Sequence, residues 1–372
     1  MIYLDNAATS FPKPKSVIRE VNRCIKEYCG NPGRGGHRLS IAAAEQVYRT
    51  RELIAEHLCI DNPEAVIFTQ NATHSLNLAI KTSIREPCHI ITSDIEHNSV
   101  LRPLYSLKRR LGCDISFFNS DSPLDDAIKP LIRKDTKYIV STLSSNVTGK
   151  KVDLAALSRI ARANGLGLIT DASQYIGHGS LDLTKTPVNV LCAPAHKSLF
   201  GIQGAGFAVV LDKIHRETYI EGGTGGNSFS ELMPENLPER FEAGTLSTPS
   251  IVALGEGLRF INKVGVEEIE QKLSELCGYT REMLDLNRVK ILGCENGICA
   301  FNLEGFKSEQ AASFLSECGI AVRGGFHCAP TCHRKLGTEI GGAVRVSFSY
   351  FNKKSDLYAL RRSIVELLKN GI

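Results

Sequence analysis

The chain has no tryptophan and three methionines among 372 residues, and no apolar run approaches the ~20 residues that a membrane-spanning helix needs. Neither a membrane-spanning helix nor a membrane partner is therefore expected. Charge is nearly balanced, 44 Lys and Arg against 40 Asp and Glu for a formal +4. Basic residues come in short clusters such as Lys108-Arg109-Arg110, which read as solvated helix faces and give no ground for a nucleic-acid partner. The opening Met-Ile-Tyr-Leu-Asp-Asn-Ala-Ala-Thr-Ser lacks the basic start and apolar core of a secretion signal, so a cytoplasmic location is expected. Regular cysteine spacing is missing too. Twelve cysteines at irregular positions describe no disulfide framework in a chain of this length, and most read as small buried hydrophobes.

What remains is an ordinary globular composition, 42% hydrophobic and 23% charged, in a chain long enough for two domains. Seven apolar runs, at 65–69, 88–92, 114–118, 137–141, 166–171, 188–192 and 206–211, alternate with helix-compatible stretches. That alternation predicts an α/β fold whose seven-stranded, mostly parallel sheet is covered on both faces. A glycine-rich segment at 221–227 interrupts it, and a helical stretch over 249–264 leads into a smaller α/β C-terminal region. There, strands are expected at 298–303, 321–323 and 343–348, and helices over 308–318 and 355–368. The expected division is a large domain over 15–250 and a small domain made of 1–14 with 251–372.

Two residues point to chemistry. Asp171 closes the run Gly-Leu-Ile-Thr-Asp, and Lys197 follows in Ala-Pro-Ala-His-Lys. Both end strand-like segments, and in an open α/β sheet the carboxyl ends of strands border the ligand crevice. A lysine beside an acid suggests Schiff-base chemistry, because the protein can lower the lysine pKa while a carboxylate keeps a pyridine nitrogen protonated. Polar residues collect at five such ends: 71–75, 93–98, 144–149, 171–174 and 196–197.

These residues, together with Tyr3-Leu4-Asp5-Asn6-Ala7-Ala8, Phe241-Glu242-Ala243-Gly244-Thr245, Arg323-Gly324-Gly325-Phe326-His327-Cys328-Ala329-Pro330 and Arg345-Val346-Ser347-Phe348, resemble the pyridoxal-phosphate-dependent class V aminotransferases. Within that family the chain is similar to the cysteine desulfurases, over nearly its whole length and in order. The resemblance implies the type I fold of PLP-dependent transferases, with pyridoxal 5'-phosphate bound to Lys197 as a Schiff base and Asp171 on the pyridine nitrogen. It places His97 on the ring, near enough to assist proton transfer, and Gln174 and Asn146 beside the 3-oxygen and the substrate. Ala72, Thr73 and His196 would hold the phosphate. Thr245 and the glycine turn at 222–226 would reach across from the neighbouring subunit of a homodimer. One departure is Pro194, where the family carries a hydroxyl residue; proline offers neither a hydroxyl nor an N–H. Either the phosphate end is weaker, or another donor such as Ser173 substitutes.

By the same resemblance Arg345 and Arg323 bind the carboxylate of the amino-acid substrate, a bidentate task that suits arginine. Lys197, once freed, removes the Cα proton. Cys328, whose thiolate is favoured by His327 and Arg323, takes the sulfur of L-cysteine as a persulfide and leaves alanine. The segment 326–330 resembles the family's compact, ordered loop, with Phe326 where some relatives carry a second histidine. Cys332 is either a persulfide relay or disulfide partner, or simply a packed side chain. Other readings stay open: a selenocysteine lyase acting on L-selenocysteine through the same residues, a class V aminotransferase or C–S lyase that leaves Cys328 unused, and a non-catalytic scaffold. A zinc site on His327, Cys328, Cys332 and His333 has the right ligand types, but no second Cys-x-x-Cys pair supports it, so no metal is expected. A sulfur-acceptor protein is a further expected partner.

Overall fold

The structure, a computed structural model, describes residues 1–33, 35–211, 217–226 and 229–370; Asn227 of the glycine-rich segment lies outside them. A two-residue strand β1 (Ile2–Tyr3) is followed by β2 (Val66–Thr69), β3 (His89–Ser93), β4 (Asp114–Phe118), β5 (Thr136–Thr142), β6 (Gly167–Asp171), β7 (Val190–Pro194) and β8 (Gly206–Val210). Strands β2 to β8 form one sheet in the order β2-β8-β7-β6-β5-β3-β4, and β8 alone runs against its neighbours. The seven runs seen in the sequence are these strands, with ends that differ by one or two residues.

Alternation along each strand sends side chains to opposite faces. Phe68, Ile91, Ile139, Leu168, Leu191 and Phe207 enter one hydrophobic core, and their neighbours Ile67, Ile90, Val140, Ile169, Val190 and Ala208 enter the other. A sheet buried on both faces needs near-continuous apolar strands, and these strands supply them. The helices preceding and covering the sheet are α1 (Lys15–Arg23), α2 (Arg38–His57), α3 (Ala72–Ser83), α4 (Asn98–Leu111), α5 (Leu124–Ile128), α6 (Leu154–Ala163) and α7 (Thr248–Val264), the last packed on α1 and α2.

The C-terminal region adds α8 (Val266–Met283), β9 (Val289–Glu295), β10 (Ile298–Leu303), α9 (Ser308–Glu317), β11 (Ile320–Ala321), α10 (Pro330–Leu336), β12 (Val344–Ser347) and α11 (Lys354–Asn370). Strands β9, β10 and β12 make an antiparallel sheet in the order β12-β10-β9. The strand expected over 321–323 is largely absent: β11 ends at Ala321, and Arg323 instead forms an isolated bridge to Arg345. Strand β1 pairs with β11 in parallel, so the first residues of the chain are built into the C-terminal region. Asn6 Nδ2 donates to the Ser347 carbonyl at 3.0 Å and Gln174 Nε2 to the Ala7 carbonyl at 2.8 Å. The N-terminal segment thereby ties the small sheet to the carboxyl end of β6. Among the described residues no helix is long and apolar enough to cross a membrane.

Candidate active site

The start of α3 follows β2 directly. Asn71 caps it, its side chain accepting the His74 N–H at 2.9 Å, while the earlier N–H groups of a helix have no intrahelical acceptor and point at whatever lies before it. Gly206 of β8 permits this placement, since a Cβ there would stand 2.6 Å from the Asn71 carbonyl carbon. Thr73 Oγ1 meets Ser99 Oγ at 2.8 Å, and Ser99 Oγ in turn meets His97 Nδ1 at 2.9 Å.

His97 is the N-cap of α4: its Nδ1 accepts the Ser99 backbone N–H at 3.0 Å. With Nδ1 so occupied, the neutral ring carries its proton on Nε2. Desolvation, followed by the charge of Lys197, pushes the His97 pKa down to about 4. Asp171, buried at the end of β6, accepts the Ser173 N–H on Oδ1 at 2.9 Å. Lys197 is partly exposed and stands beyond the end of β7; desolvation, with smaller contributions from Arg345 and Arg323, lowers its pKa to about 8 against the pull of Asp171. These mutual influences place Lys197, Asp171, His97 and Arg345 in one electrostatic cluster.

His196 has a buried Nδ1 with no partner, and its pKa is pushed down to about 4 by desolvation and the charges of Lys197 and Lys13. Its carbonyl accepts from the Ser10 N–H and from Lys13 Nζ, each at 3.0 Å. Lys13, which the sequence reading passed over, is lowered to about 8 by burial. Pro194 closes β7 in register with Gly206.

Across the cluster lies the loop of Cys328. His327 and Cys328 are successive non-glycine residues with left-handed backbone, φ 50° and 54°, a conformation that persists only where the surroundings hold it. Two bonds hold it here. Asn146 Nδ2 donates to the His327 carbonyl and the Asn98 backbone N–H to the Cys328 carbonyl, both at 2.7 Å. The Cys328 side chain is exposed, whereas Cys332 is buried against Ser145, its thiol pushed up to about 11 by burial. Cys332 therefore has the properties of the packed alternative. Among the described residues no group of His, Cys, Asp and Glu side chains is arranged to hold a metal ion.

Arg345 is buried, donating from Nη1 to the Asn146 carbonyl and from Nη2 to Asp5 Oδ1, both at 2.8 Å, with Nε unpartnered. Arg323 lies alongside, more exposed, its Nη2 3.0 Å from Asp5 Oδ2. Asp5 thus bridges both arginines, a link the sequence does not show. Glu96, one residue before His97, is fully buried and accepts the Thr142 N–H on both carboxylate oxygens, at 2.8 and 3.1 Å. Burial pushes its pKa up to about 8. Thr245 does not join the cluster. It lines a separate cavity of about 240 Å³ with Asn31, Tyr48, Arg51 and Glu242.

Residues 2–360 match the family model described as aminotransferase class-V. The chain belongs to the class V aminotransferase family. Among the most similar class V relatives is a probable cysteine desulfurase from Pyrococcus abyssi, 30% identical over 100% of this chain and 95% of its own. Another, from Methanothermobacter thermautotrophicus and named in the same words, is also 30% identical, with the same coverage. Of solved structures, the apo form of a cysteine desulfurase from Thermococcus onnurineus superposes with a TM-score of 0.90 at 29% identity, covering 99% of this chain and 94% of that one. Class V members share the type I fold described above, and the family is generally pyridoxal-phosphate-dependent.

Proposed function

We propose that this chain is a pyridoxal-phosphate-dependent cysteine desulfurase that moves the sulfur of L-cysteine onto Cys328 and releases L-alanine. The observation that carries the reading is where the unsatisfied atoms lie. His196 Nδ1, Asn146 Oδ1 and Arg345 Nε are all buried without a partner, and all border the cluster around Lys197. Buried polar atoms are normally paired, so three such atoms about one desolvated lysine, the Arg345 Nε donor and the Asn146 Oδ1 acceptor among them, fit a polar ligand that both accepts and donates hydrogen bonds. Pyridoxal phosphate suits this mixed set of donors and acceptors: Lys197 would hold it covalently, Asp171 would face its ring nitrogen, and His97, Asn146 and Gln174 would flank the ring. The α3 start at Ala72 and Thr73 would hold its phosphate with His196. Ser99, hydrogen-bonded to Thr73, would supply the hydroxyl that Pro194 cannot.

When bound, the cofactor supplies an electron sink for the charge that develops at the substrate Cα. Arg345 Nε and the exposed guanidinium of Arg323 bind the substrate carboxylate. Lys197 Nζ, neutral in a useful fraction near pH 8, takes the Cα proton, and His97 Nε2–H stands as a donor beside it. The Cys328 thiolate then attacks the substrate sulfur. An S–S bond forms as the substrate Cβ–S bond breaks, the electron pair stays with carbon and is protonated, and the products are a persulfide on Cys328 and alanine.

The reading extends to a homodimer, because Thr245 lies outside the cluster of its own chain and a second copy would bring it to the phosphate. A cytoplasmic location and a sulfur-acceptor protein belong to the same proposal. So does the division into 15–250 and 1–14 with 251–372, with α7 as the joint.

The test is incubation of purified protein with L-cysteine and, separately, L-selenocysteine, with and without a thiol reductant, comparing wild type with Cys328→Ala. The reading requires alanine with matched sulfide from L-cysteine, lost in the variant. Keto-acid product, or undiminished sulfide release by Cys328→Ala, would move the chain to the aminotransferase or C–S lyase reading.

A further inference from the structure

Phe326 occupies the position where some relatives carry a second histidine, yet a second histidine reaches this loop in space. His333, on α10, is buried, and its Nε2 lies 3.4 Å from His327 Nδ1, with the two ring planes within 16° of parallel. Phe326 packs edge-on against the His333 ring at 5.5 Å. On the far side, His333 Nδ1 lies 2.7 Å from Thr338 Oγ1.

The acceptors determine where the protons sit. His327 Nε2 lies 3.4 Å from the Arg323 carbonyl, which can only accept, so Nε2 carries hydrogen. A neutral His327 then has a bare Nδ1, which must accept the N–H of His333 Nε2. A neutral His333 in turn has a bare Nδ1, which must accept the Thr338 hydroxyl. Each member fixes the tautomer of the next, from the Arg323 carbonyl to Thr338, and the His333 ring also bonds the Phe326 backbone carbonyl. Burial lowers the pKa of both rings, His327 to about 3, which keeps the chain in its neutral form at working pH.

We propose that His333 is a positioning residue for the nucleophile: its Nε2–H caps His327 Nδ1 and, through His327, holds the left-handed turn at 327–328 that presents Cys328. The inference rests on the reading of Cys328 as the sulfur acceptor. It removes His327 from the role of base toward Cys328, because both ring nitrogens are committed, and gives it the role of a strut between α10 and the Arg323 carbonyl. The turn then has three supports: Asn146, the Asn98 N–H and the His327–His333 pair.

Three variants separate the hydrogen bond from the ring. His333→Phe keeps an aromatic ring without the N–H, His333→Gln keeps an N–H donor without the ring, and Thr338→Val leaves His333 in place but removes the hydroxyl from its Nδ1. In full-length holoenzyme, His333→Phe should lower kcat with L-cysteine roughly tenfold to a hundredfold with KM little changed, and speed alkylation of Cys328 by iodoacetamide, as expected for a misplaced reacting group. His333→Gln should recover most of both. Nitrogen-15 spectra of histidine-labelled protein should show His327 and His333 as Nε2–H tautomers in wild type, and His333 still as Nε2–H in Thr338→Val, because His327 Nδ1 still takes its N–H. Wild-type kcat and alkylation in His333→Phe, no rescue by His333→Gln, or an Nδ1–H tautomer at His327 would each overturn the proposal. Should wild type form no persulfide from L-cysteine, the proposed function falls, while alkylation and tautomer still judge His333.

Discussion

The backbone N–H of Asn98 donates to the carbonyl of Cys328 at 2.7 Å. Asn98 opens α4, whose N-cap is His97, so one hydrogen bond links the helix start beside the lysine cluster to the turn that carries the nucleophile. The two ends of the proposed reaction, proton transfer at Cα and attack on sulfur, are held in register by this contact.

Asn98→Pro isolates it. Proline lacks an N–H but suits the first position of a helix, so α4 should form as before and the melting temperature should stay close to wild type. Losing the bond should slow persulfide formation and speed Cys328 alkylation by roughly threefold to tenfold, the scale of one net hydrogen bond. Unchanged rates in both assays would mean that the contact does not position the turn.

Arg345→Lys tests the carboxylate clamp. Lysine keeps the charge but cannot hold Asp5 and the Asn146 carbonyl while presenting a further N–H to the substrate, so KM for L-cysteine should rise roughly tenfold or more, with a smaller change in kcat. A fall in kcat with KM unchanged would place Arg345 elsewhere in the reaction.

Stability should depend on pH in two opposing ways. His97, His178 and His196 are held down to about 4, and His327 to about 3, with burial the largest cause in each. The unfolded chain titrates these groups near 6.5, so below that value it binds more protons than the folded chain, and stability falls as pH drops toward 4. Glu96 works the other way. Its pKa is raised to about 8 by burial, so its contribution is present below the unfolded carboxylate value and is lost as pH rises through 8. Glu96→Gln should therefore gain stability relative to wild type as pH is raised from about 5 to 8, by on the order of a few kcal/mol, read from thermal melts across that range. A constant difference between the two proteins would contradict the assignment of a protonated Glu96.

Much of this site was legible because β–α alternation sends strand ends to one edge. Asp171, Lys197, His97 and Asn146 each follow an apolar run, and the runs are unmistakable in a sheet buried on both faces. What escaped the sequence is what folding brings from afar. Asp5 bridges Arg323 and Arg345 only because β1 pairs with β11. Lys13 reaches the His196 carbonyl from the N-terminal segment, and the contact of His333 with His327 Nδ1 forms from the next helix. Strand β9 went unassigned because its burial is mixed, which blurs its apolar pattern, and α10, at seven residues, is too short to show a helical period.

The central claim, that Cys328 accepts the sulfur, is tested most directly by intact-peptide mass spectrometry after a single turnover of the holoenzyme with L-cysteine in the absence of reductant. The peptide carrying Cys328 should be heavier by one sulfur atom, with one alanine formed for each modified chain. Sulfide or keto acid produced while the Cys328 peptide keeps its original mass would contradict it.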